Sequence, residues 1–392
     1  MSTLKIAGVI AEYNPFHAGH AYHLQQTRIR TGCDFVVVCM AGSYTQRGTA
    51  ACLSKWDRAR MALMCGADAV FELPALFAVR TADVFARAGV TILDAIGVDA
   101  LSFGCEADGL PERMAEIRTS EPSAVAEMVR ENLSAGMSHA RAWGAAAAEY
   151  LGVEMTLLNA PNAILAAEYI RTIREIHSRM EPVSIQRRGG YHDPSFPGEG
   201  FASATAIRAA LAEGRTADAL RAVPPEVQSI LVTAEPMHDP DDLLLHRLRT
   251  MSEAELAALP DVAEGLERRV KRCAAEAASQ QELIDMLKCK RYTRARLSRL
   301  TAHALLNLTQ AMAERHPAPE YARLIAMRED ARPLLKELKS RARLPILSDP
   351  AKLSENEIFR LECRATDLRA LQCSIPAHRH ANQEFTQKFV KC

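Results

Sequence analysis

Four short, nearly continuous apolar segments near the start of the chain are separated by stretches long enough to form helices. The apolar segments are Leu4–Ala11, Phe35–Met40, Ala69–Leu73 and Ala100–Phe103. Strands of this kind are typical of a parallel sheet that helices cover on both faces. The intervening stretches place apolar residues at helical spacing over Gly19–Arg30, Ser54–Cys65 and Thr81–Ile96. This βαβ series predicts an open, doubly wound parallel α/β sheet.

The remainder of the chain is richer in helical patterns. Strand-like segments recur at Glu154–Leu158 and Val183–Gln186, and helical spacing covers Pro111–Tyr150, Pro161–Arg179 and Ser203–Ala212. From about Pro224 the pattern becomes almost wholly helical, with proline-containing breaks. We therefore predict an α/β domain over residues 1–225, with a helical insertion at about 111–150, and a mainly helical domain over 226–392.

Composition limits the classes of function. The 392 residues include 48 Lys plus Arg against 48 Asp plus Glu, which excludes a globally basic nucleic-acid binder. The start of the sequence has no basic segment followed by an apolar run, and no apolar run approaches the ~18 residues of a membrane span. The ten cysteines form no Cys-x-x-Cys pair, so we expect them to be reduced and non-catalytic. A soluble, cytoplasmic protein without membrane association is predicted.

The most informative segment joins the first predicted strand to the first predicted helix. It reads Ile10-Ala11-Glu12-Tyr13-Asn14-Pro15-Phe16-His17-Ala18-Gly19-His20. The carboxyl end of a parallel strand faces the ligand crevice, and the helix after it offers free N–H groups and a positive dipole to a phosphate. His17 and His20 project from the same side of the first turn, and Gly19 removes a side chain that would block close approach. The segment predicts a nucleotide phosphate site with two histidine donors.

Two other interpretations of this segment stay open at this point. In the first, the histidines are solvated residues at an ordinary helix start. In the second, His17, His20 and His23 ligate zinc, because their spacing suits that metal. No nearby carboxylate or thiol has a matching ligand spacing, so we predict no protein-bound metal.

A second segment has residue types that bind anions at a helix start. Ser203-Ala204-Thr205-Ala206-Ile207-Arg208 begins a predicted helix with a serine and places a threonine and an arginine on its first two turns. The N–H groups and hydroxyls suit phosphate oxygens, and Arg208 neutralises their charge. The alternative is an ordinary serine N-cap, which is the better interpretation if the upstream histidines are disregarded.

With these two segments, the chain resembles the nucleotidyltransferase superfamily named for its His-x-Gly-His signature. The second segment is similar to the Ser-Ser-Thr-x-x-Arg signature of that superfamily, with Ala204 in place of the second serine. The resemblance implies a Rossmann-like doubly wound parallel sheet of the nucleotidyltransferase type, followed here by the mainly helical C-terminal domain.

Longer pieces resemble one family of that superfamily, the tRNA(Met) cytidine acetate ligases. In chain order they are Ala11–His17, Gln46-Arg47-Gly48, Lys55-Trp56, Phe71–Pro74, Leu101–Gly104, Pro161-Asn162, Tyr191-His192-Asp193 and Arg364–Asp367. The resemblance implies that ATP activates acetate as acetyl-adenylate. It further implies that the acetyl group passes to N4 of the wobble cytidine in elongator tRNA(Met).

Carried over motif by motif, the resemblance implies an ATP site with His17 and His20 as its catalytic pair. The site comprises Ile10, Ala11, Glu12, Tyr13, Asn14, Pro15, Phe16, His17, Ala18, Gly19, His20, Ala21, Tyr22, His23, Gly104, Asn162, Arg187, Ser203, Thr205 and Arg208. Arg188 is a neighbouring alternative to Arg187. We expect Mg²⁺ with ATP, because the site must neutralise charge spread over the phosphates. Residues 41–48 are interpreted as a covering loop, or as a plain strand-to-helix connection.

A basic stretch lies in the predicted helical domain. It contains six cations, Lys288, Lys290, Arg291, Arg294, Arg296 and Arg299, together with Tyr292 and no acid. Such a stretch can follow RNA phosphates while Tyr292 or an arginine plane stacks on an exposed base. Charge runs are more often solvated helix faces. With the family resemblance, tRNA binding becomes the favoured interpretation.

Two rival functions use the same motifs. An adenylyltransferase that passes AMP to a small phosphate-bearing acceptor needs both phosphate segments, but it has no evident need for a helical domain with a basic stretch. A non-catalytic RNA-binding protein with a relict nucleotide site is disfavoured because both phosphate segments are nearly intact. The family resemblance implies acetate and elongator tRNA(Met) as the partners of the chain, and it implies no protein partner.

Overall fold

The computed structural model describes residues 4–137, 139–186, 201–234, 237–289 and 291–392. Within these ranges, eight strands form one sheet. They are β1 (Ile6–Ala11), β2 (Phe35–Ala41), β3 (Ala69–Leu73), β4 (Ala100–Cys105), β5 (Glu181–Gln186), β6 (Ala322–Met327), β7 (Ile346–Leu347) and β8 (Val390–Lys391).

The sheet order is β5-β4-β1-β2-β3-β6-β7, and β8 also pairs with β6. Strands β1 to β5 are all parallel to their neighbours among themselves. The chain winds from β1 to β2 and β3 in one direction, then returns to β4 and β5 on the other side of β1. The strand order therefore reverses between β1 and β4, which is the position where open α/β sheets bind ligands. The predicted doubly wound α/β fold is confirmed.

Helices make up most of the remaining described chain. The α-helices are α1 (Ala18–Thr31), α2 (Lys55–Met64), α3 (Ala75–Ala78), α4 (Ala82–Ala95), α5 (Leu110–Thr119), α6 (Ser123–Ser134), α7 (His139–Leu151), α8 (Met155–Leu158), α9 (Pro161–Glu175), α10 (Ala204–Ala212), α11 (Thr216–Arg221), α12 (Gln228–Leu231), α13 (Asp241–Thr250), α14 (Glu253–Ala257), α15 (Leu266–Glu276), α16 (Gln280–Leu287), α17 (Arg294–Leu306), α18 (Gln310–Arg315), α19 (Arg332–Arg341), α20 (Glu357–Leu371) and α21 (Gln383–Thr386). Short 3₁₀ helices cover Pro225–Val227, Pro350–Leu353 and Pro376–His378. Of the described helices, none has the length and apolar character needed to cross a bilayer.

Side chains that alternate along the strands fill two layers. In β2, Val36, Val38 and Met40 join the hydrophobic cluster that also contains residues of α1, α2 and α10. Val37 and Cys39, on the opposite face, join the larger cluster with residues of α4, α9 and α20. Because successive strand residues point to opposite faces, one continuous apolar strand supports both layers. The two layers hold the central parallel strands in place, and the carboxyl ends of these strands lie at the same edge of the sheet.

One predicted strand is wrong. Residues Glu154–Leu158 do not pair with the sheet: Met155–Leu158 form the short helix α8, and Leu158 is buried in the core. An apolar run of this length fits either a strand or a helical turn, so periodicity cannot distinguish them. Here the turn follows α7 directly and leads into α9.

The chain after residue 224 is less uniformly helical than its pattern indicates. Helices α13 to α17 surround a hydrophobic cluster of their own. However, β6 lies antiparallel to β3 and extends the sheet, and β7 and β8 add further pairs. Residues far apart in sequence therefore complete one sheet. The division at residues 225 and 226 stays a prediction.

Candidate functional site

A cavity of about 380 Å³ opens at the carboxyl ends of β1, β4 and β5. Its walls come from the β1–α1 turn, the first turns of α1, α9 and α10, part of α4, and the loop between β2 and α2. This volume lies within the range typical of small-molecule sites. The cavity occupies the topological switch point, as the sequence predicts for the nucleotide.

His17 and His20 form a reciprocal cap at the start of α1. Nδ1 of His17 accepts a hydrogen bond from the Gly19 N–H at 3.1 Å, and Nδ1 of His20 accepts one from the His17 N–H at 3.2 Å. Two otherwise unpaired N–H groups of the helix start are thus satisfied, as in a capping box of other residue types. The motif is therefore a structural cap whose two histidines also line the cavity.

This cap fixes which ring nitrogen can donate. An Nδ1 that accepts a hydrogen bond carries no proton, so the network assigns the proton of each neutral ring to Nε2. The two rings stack with centroids 3.7 Å apart, and Tyr13 contacts the His20 ring edge-on at 4.7 Å. Both histidines line the cavity. They are held as a pair of preorganised N–H donors, which suits phosphate oxygens.

His23 differs from the two histidines before it. Its Nε2 lies 3.1 Å from the Ser102 Oγ on β4. The zinc interpretation needs all three rings to turn toward one ion, whereas Nδ1 of His17 and of His20 and Nε2 of His23 all have partners in the protein. The geometry thus favours the phosphate interpretation of the segment over the zinc interpretation.

The second predicted segment reaches the same cavity from α10. Ser203 is the N-cap of that helix and accepts a hydrogen bond from the Ala206 N–H at 3.1 Å. Arg208 donates to the Asn14 carbonyl and to the Thr205 hydroxyl. All three side chains that were predicted on this helix, Ser203, Thr205 and Arg208, line the cavity. The two signatures therefore face one crevice, although they are far apart in the sequence.

Glu12 connects the β1–α1 turn to the loop between β2 and α2. Its Oε1 accepts a hydrogen bond from the Gln46 N–H at 2.6 Å. The Gln46 side chain in turn donates to the Arg80 carbonyl at 2.7 Å. Burial raises the pKa of Glu12, while the Gln46 N–H and nearby arginines oppose that rise. The predicted covering loop is thus tied down at its cavity end.

Arg58 is a buried cation that the sequence does not single out. From α2, its guanidinium donates to the carbonyls of Glu12 at 2.6 Å and Ala41 at 3.1 Å, and to that of Gly42. These carbonyls end β1 and β2, where the sheet itself no longer satisfies them. Burial lowers the pKa of Arg58 to about 10, so it is still charged at neutral pH. Arg58 therefore stabilises the ends of β1 and β2 beside the cavity, without lining the cavity itself.

Helix α20, near the end of the chain, holds the other end of the same loop. The Thr366 and Ser43 hydroxyls lie 2.9 Å apart, and Glu362 accepts hydrogen bonds from the N–H groups of Ser43 and Ala75. Arg369 donates to the Ala51 carbonyl at 2.9 Å. Thr366 of the family-like segment Arg364–Asp367, together with Glu362 and Arg369 beside that segment, therefore contacts this loop and its surroundings.

Three carboxylates behind this loop have the spacing of a metal site. Glu72, Glu362 and Glu384 place oxygens within 4.8 Å of one another. However, the Lys55 ammonium contacts all three, and Arg323 contacts Glu72 and Glu384. Burial raises the pKa of Glu362 to about 7. The cations already occupy the position that a metal ion would need.

The structure brings most of the predicted ATP-site residues to the cavity wall. These are Ile10, Ala11, Glu12, Tyr13, Asn14, His17, Gly19, His20, Tyr22, His23, Gly104, Asn162, Ser203, Thr205 and Arg208. Pro15, Phe16, Ala18 and Ala21 do not line it, and Phe16 is instead packed in the core beneath the histidines. Arg187, like Arg188 and Tyr191-His192-Asp193, lies outside the described residues.

Other lining residues were not predicted individually. Thr45, Gln46, Arg47 and Thr49 come from the loop, and Phe85, Phe103, Leu165 and Tyr169 form an apolar wall. The Gln46-Arg47-Gly48 piece of the family resemblance is a signal for the loop. Phe103 lies on β4, within the family-like piece Leu101–Gly104. No sequence signal distinguishes Phe85, Leu165 and Tyr169 from core residues of α4 and α9, because both follow the same periodicity.

The basic stretch does not form a uniform surface. Lys288, Arg291 and Arg294 are exposed, whereas Arg299 is 8% exposed and lies 3.2 Å from Asp261. Arg296 donates to the Asp261 carbonyl and lies over the Tyr292 ring. Lys290 lies outside the described residues.

Burial of Tyr292 and Arg299 corrects the predicted surface. Tyr292 is 5% exposed, so its ring is not available to an RNA base, and the prediction that it stacks on one is wrong. Arg299 is directed into a protein contact for the same reason. The acids that pair with the arginines, Asp261, Glu264 and Asp285, lie outside the stretch itself. A basic stretch that contains no acidic residue can therefore still have acidic neighbours, because tertiary packing brings them from other segments.

Known proteins resemble this chain over nearly its whole length. The family model described as HIGH Nucleotidyl Transferase matches residues 4–384. A tRNA(Met) cytidine acetate ligase of Anoxybacillus flavithermus is 36% identical over 377 residues, which cover 93% of this chain and 94% of that protein. One from Acetivibrio thermocellus is 33% identical and covers 99% of this chain.

Solved structures agree with the sequence comparison. The apo crystal structure of Thermotoga maritima TmcAL superposes with a TM-score of 0.90 at 29% identity and covers 99% of both chains. The same protein bound with alpha-thio ATP gives a TM-score of 0.89. Given these matches and the two signatures that meet at the cavity, the chain belongs to the HIGH nucleotidyl transferase family and, within it, to the tRNA(Met) cytidine acetate ligases.

Proposed function

We propose that this chain uses ATP to activate acetate as acetyl-adenylate and transfers the acetyl group to N4 of the wobble cytidine of elongator tRNA(Met). The names of its relatives and the ATP analogue bound by its structural neighbour support the proposal. The observation that carries it is the histidine cap. It holds two Nε2–H donors at the switch point, in the cavity that Arg208 of α10 also lines.

The first step requires positioning and charge neutralisation more than covalent help. An acetate oxygen attacks the α-phosphorus of ATP, and pyrophosphate leaves with the bonding electron pair. His17 and His20 donate to phosphate oxygens whose charge increases in the transition state, and Arg208 of α10 neutralises part of that charge. Acetate is already a nucleophile at neutral pH, so the protein need not supply one.

We propose that Mg²⁺ enters with ATP and is not held by a protein cage. Among the described residues that line the cavity, Glu12 is the single carboxylate, and it already accepts a hydrogen bond from Gln46. Mg²⁺ commonly binds through substrate phosphates and keeps several water ligands, which this donor set permits. When bound, it neutralises charge on the phosphates.

For tRNA, we propose that the exposed cations Lys288, Arg291 and Arg294 contact backbone phosphates, with Lys290 and Arg296 as further predicted contacts. Helix α17, which begins at Arg294 of this surface, packs against the loop that contributes to the cavity wall: a Cβ on Gly48 would lie 2.6 Å from the Ser298 carbonyl oxygen. A cytoplasmic location stays a prediction.

The proposal is tested by incubating the chain with ATP, radiolabelled acetate and elongator tRNA(Met), followed by nucleoside mass spectrometry. We expect N4-acetylcytidine at the wobble position, and no label in a matched transcript with uridine there. Omission of ATP or of acetate should abolish the product. Labelling that is equal in the two transcripts, or none in either with folded enzyme, would contradict the proposed acceptor.

A further inference from the structure

Glu12 is an acid in a cavity proposed to hold polyanions. It follows the last residue of β1 directly, and among the described residues it is the single acid of the cavity wall. Its backbone carbonyl accepts from Arg58 and its Oε1 from the Gln46 N–H, both at 2.6 Å. The residue is therefore fixed through both its backbone and its side chain.

Phosphate binding does not explain why an acid lies in this cavity. Because a carboxylate beside ATP repels the nucleotide, we expect Glu12 to have another role or to be compensated by nearby cations. Arg47 from the loop, Arg58 from α2 and Arg208 from α10 are the charged groups that favour its ionised form, and burial acts in the opposite direction. The balance raises the pKa of Glu12 and makes it a better proton acceptor than an ordinary surface carboxylate.

Acetyl transfer releases one proton. The N4 amine of cytidine forms a bond to the acetyl carbonyl carbon, and the bond from that carbon to the phosphate oxygen of acetyl-adenylate breaks. AMP leaves with the bonding electron pair as a stable anion and needs no proton. The proton lost from N4 must therefore pass to a base near the carbonyl carbon.

The histidine pair is poorly placed to be that base. In the neutral rings of His17 and His20, Nδ1 already accepts a backbone N–H and Nε2 carries the proton. His23 lies with its Nε2 against Ser102. Among the titratable side chains that are described in the cavity wall, Glu12 offers a carboxylate that can accept the proton, and it lies next to the phosphate-binding turn.

We propose that Glu12 is a further catalytic residue, the proton acceptor for the cytidine N4 amine during acetyl transfer. The inference rests on the proposed function, because it concerns the second step of that reaction. After transfer, Glu12 returns its proton to solvent as the acetylated tRNA leaves. Its hydrogen bond from the Gln46 N–H joins the carboxylate to the covering loop. The proton acceptor is therefore correctly positioned when the loop covers the cavity.

Glu12→Gln separates proton transfer from loop positioning. Glutamine keeps the Oε1 acceptor for the Gln46 N–H but cannot take up a proton, whereas Glu12→Ala removes both functions. Two rates are measured for each variant. The first is acetate-dependent pyrophosphate exchange into ATP without tRNA, and the second is single-turnover transfer to tRNA from acetyl-adenylate formed on the enzyme, followed over a range of pH.

For Glu12→Gln we expect transfer to slow by about 10²-fold, and acetate-dependent exchange, which requires no proton acceptor, to change by a much smaller factor. Wild-type transfer should rise with pH through one ionisation, and Glu12→Gln should lose that dependence. Glu12→Ala should lower both rates, because the loop is then also without its anchor. Transfer at the wild-type rate in Glu12→Gln, or equal loss of both rates with a changed Mg²⁺ requirement, would overturn the proposal. Absence of transfer by the wild type would instead contradict the proposed function itself.

Discussion

The start of α1 and the start of α17 contrast in how their residues are used. Both helices have a side-chain N-cap, His17 in the first and Thr293 in the second. At α1, the two histidines line one cavity together. At α17, Arg294 is exposed and pairs with Asp285, while Arg299 is buried against Asp261. Residues that look alike in the sequence thus have different environments in the second region.

This difference has a physical origin. The histidine cap depends on backbone geometry within four residues, so the sequence of the turn determines it almost completely. The environment of each arginine depends on acids that tertiary packing brings from other elements. A local motif can therefore be interpreted with more security than a run of charge.

The largest expected effect is at the histidine cap. His20→Ala should lower acetate-dependent pyrophosphate exchange by about 10²-fold or more, as does the removal of one preorganised donor elsewhere. His20→Asn keeps an acceptor for the His17 N–H but has no Nε2–H. It should lose as much exchange, whereas only His20→Ala should lose about 1 kcal/mol of stability. His246→Ala, at an exposed histidine of α13, is the control. Pyrophosphate exchange at the wild-type rate in His20→Asn would show that the His20 Nε2–H is not a required donor.

A second prediction concerns the packing of α17 against the segment between α3 and α4. His303 of α17 is buried, with Nε2 at 2.7 Å from the Val79 carbonyl, next to Arg80. Burial lowers the pKa of His303 to about 4, against 6.5 when unfolded. Between these values the unfolded chain binds the extra proton, so stability should fall by roughly 3 kcal/mol as pH decreases from about 6.5 to 4.

Chemical denaturation at a series of pH values measures this effect. His303→Gln serves as the comparison, because it keeps a donor but does not titrate. The variant should be less stable near neutral pH and should show a smaller decrease in stability between pH 6.5 and 4 than the wild type. If the stability of the two proteins decreased equally over that range, other groups would account for the acid sensitivity.

The third prediction compares two arginines of the basic stretch. Arg299→Ala leaves Asp261 without its buried partner and should destabilise the fold by about 2–3 kcal/mol, less than a fully buried pair because Asp261 keeps some exposure. Arg291→Ala, at a site 75% exposed, should cost less than about 0.5 kcal/mol. Urea unfolding of both variants tests the contrast. If both substitutions lowered the free energy of unfolding equally, burial would not distinguish the structural arginine from the solvent-exposed one.

The smallest expected effect is on tRNA binding. Replacing Lys288, Arg291 and Arg294 together with Gln should weaken binding about tenfold at moderate salt. The log-affinity versus log-salt slope should fall by roughly 0.7–0.9 for each tRNA phosphate that is no longer neutralised. Pyrophosphate exchange without tRNA should persist. The exposed cations Lys336 and Lys339 of α19 supply a control of like charge. An unchanged slope would place the tRNA elsewhere.

Much of the fold could be predicted because its strands are apolar on both faces. Strands β1 to β4 and helices α1, α2 and α4 follow such segments closely. Strand β6 was missed because its partner β3 lies far earlier in the chain and helices surround it in sequence. Of the site, the positions of His17, His20 and Arg208 in the cavity wall could be predicted, whereas the reciprocal histidine cap and the contacts of Arg58 and Glu362 depend on geometry that the sequence pattern does not show.

Pyrophosphate exchange into ATP isolates the chemistry assigned to the cavity. We expect exchange that requires acetate, proceeds without tRNA and is lost in His20→Asn. Exchange that is independent of acetate but requires a small phosphate-bearing acceptor would contradict acetate activation and favour an adenylyltransferase. Exchange that requires tRNA would contradict the assignment of adenylate formation to the cavity residues alone.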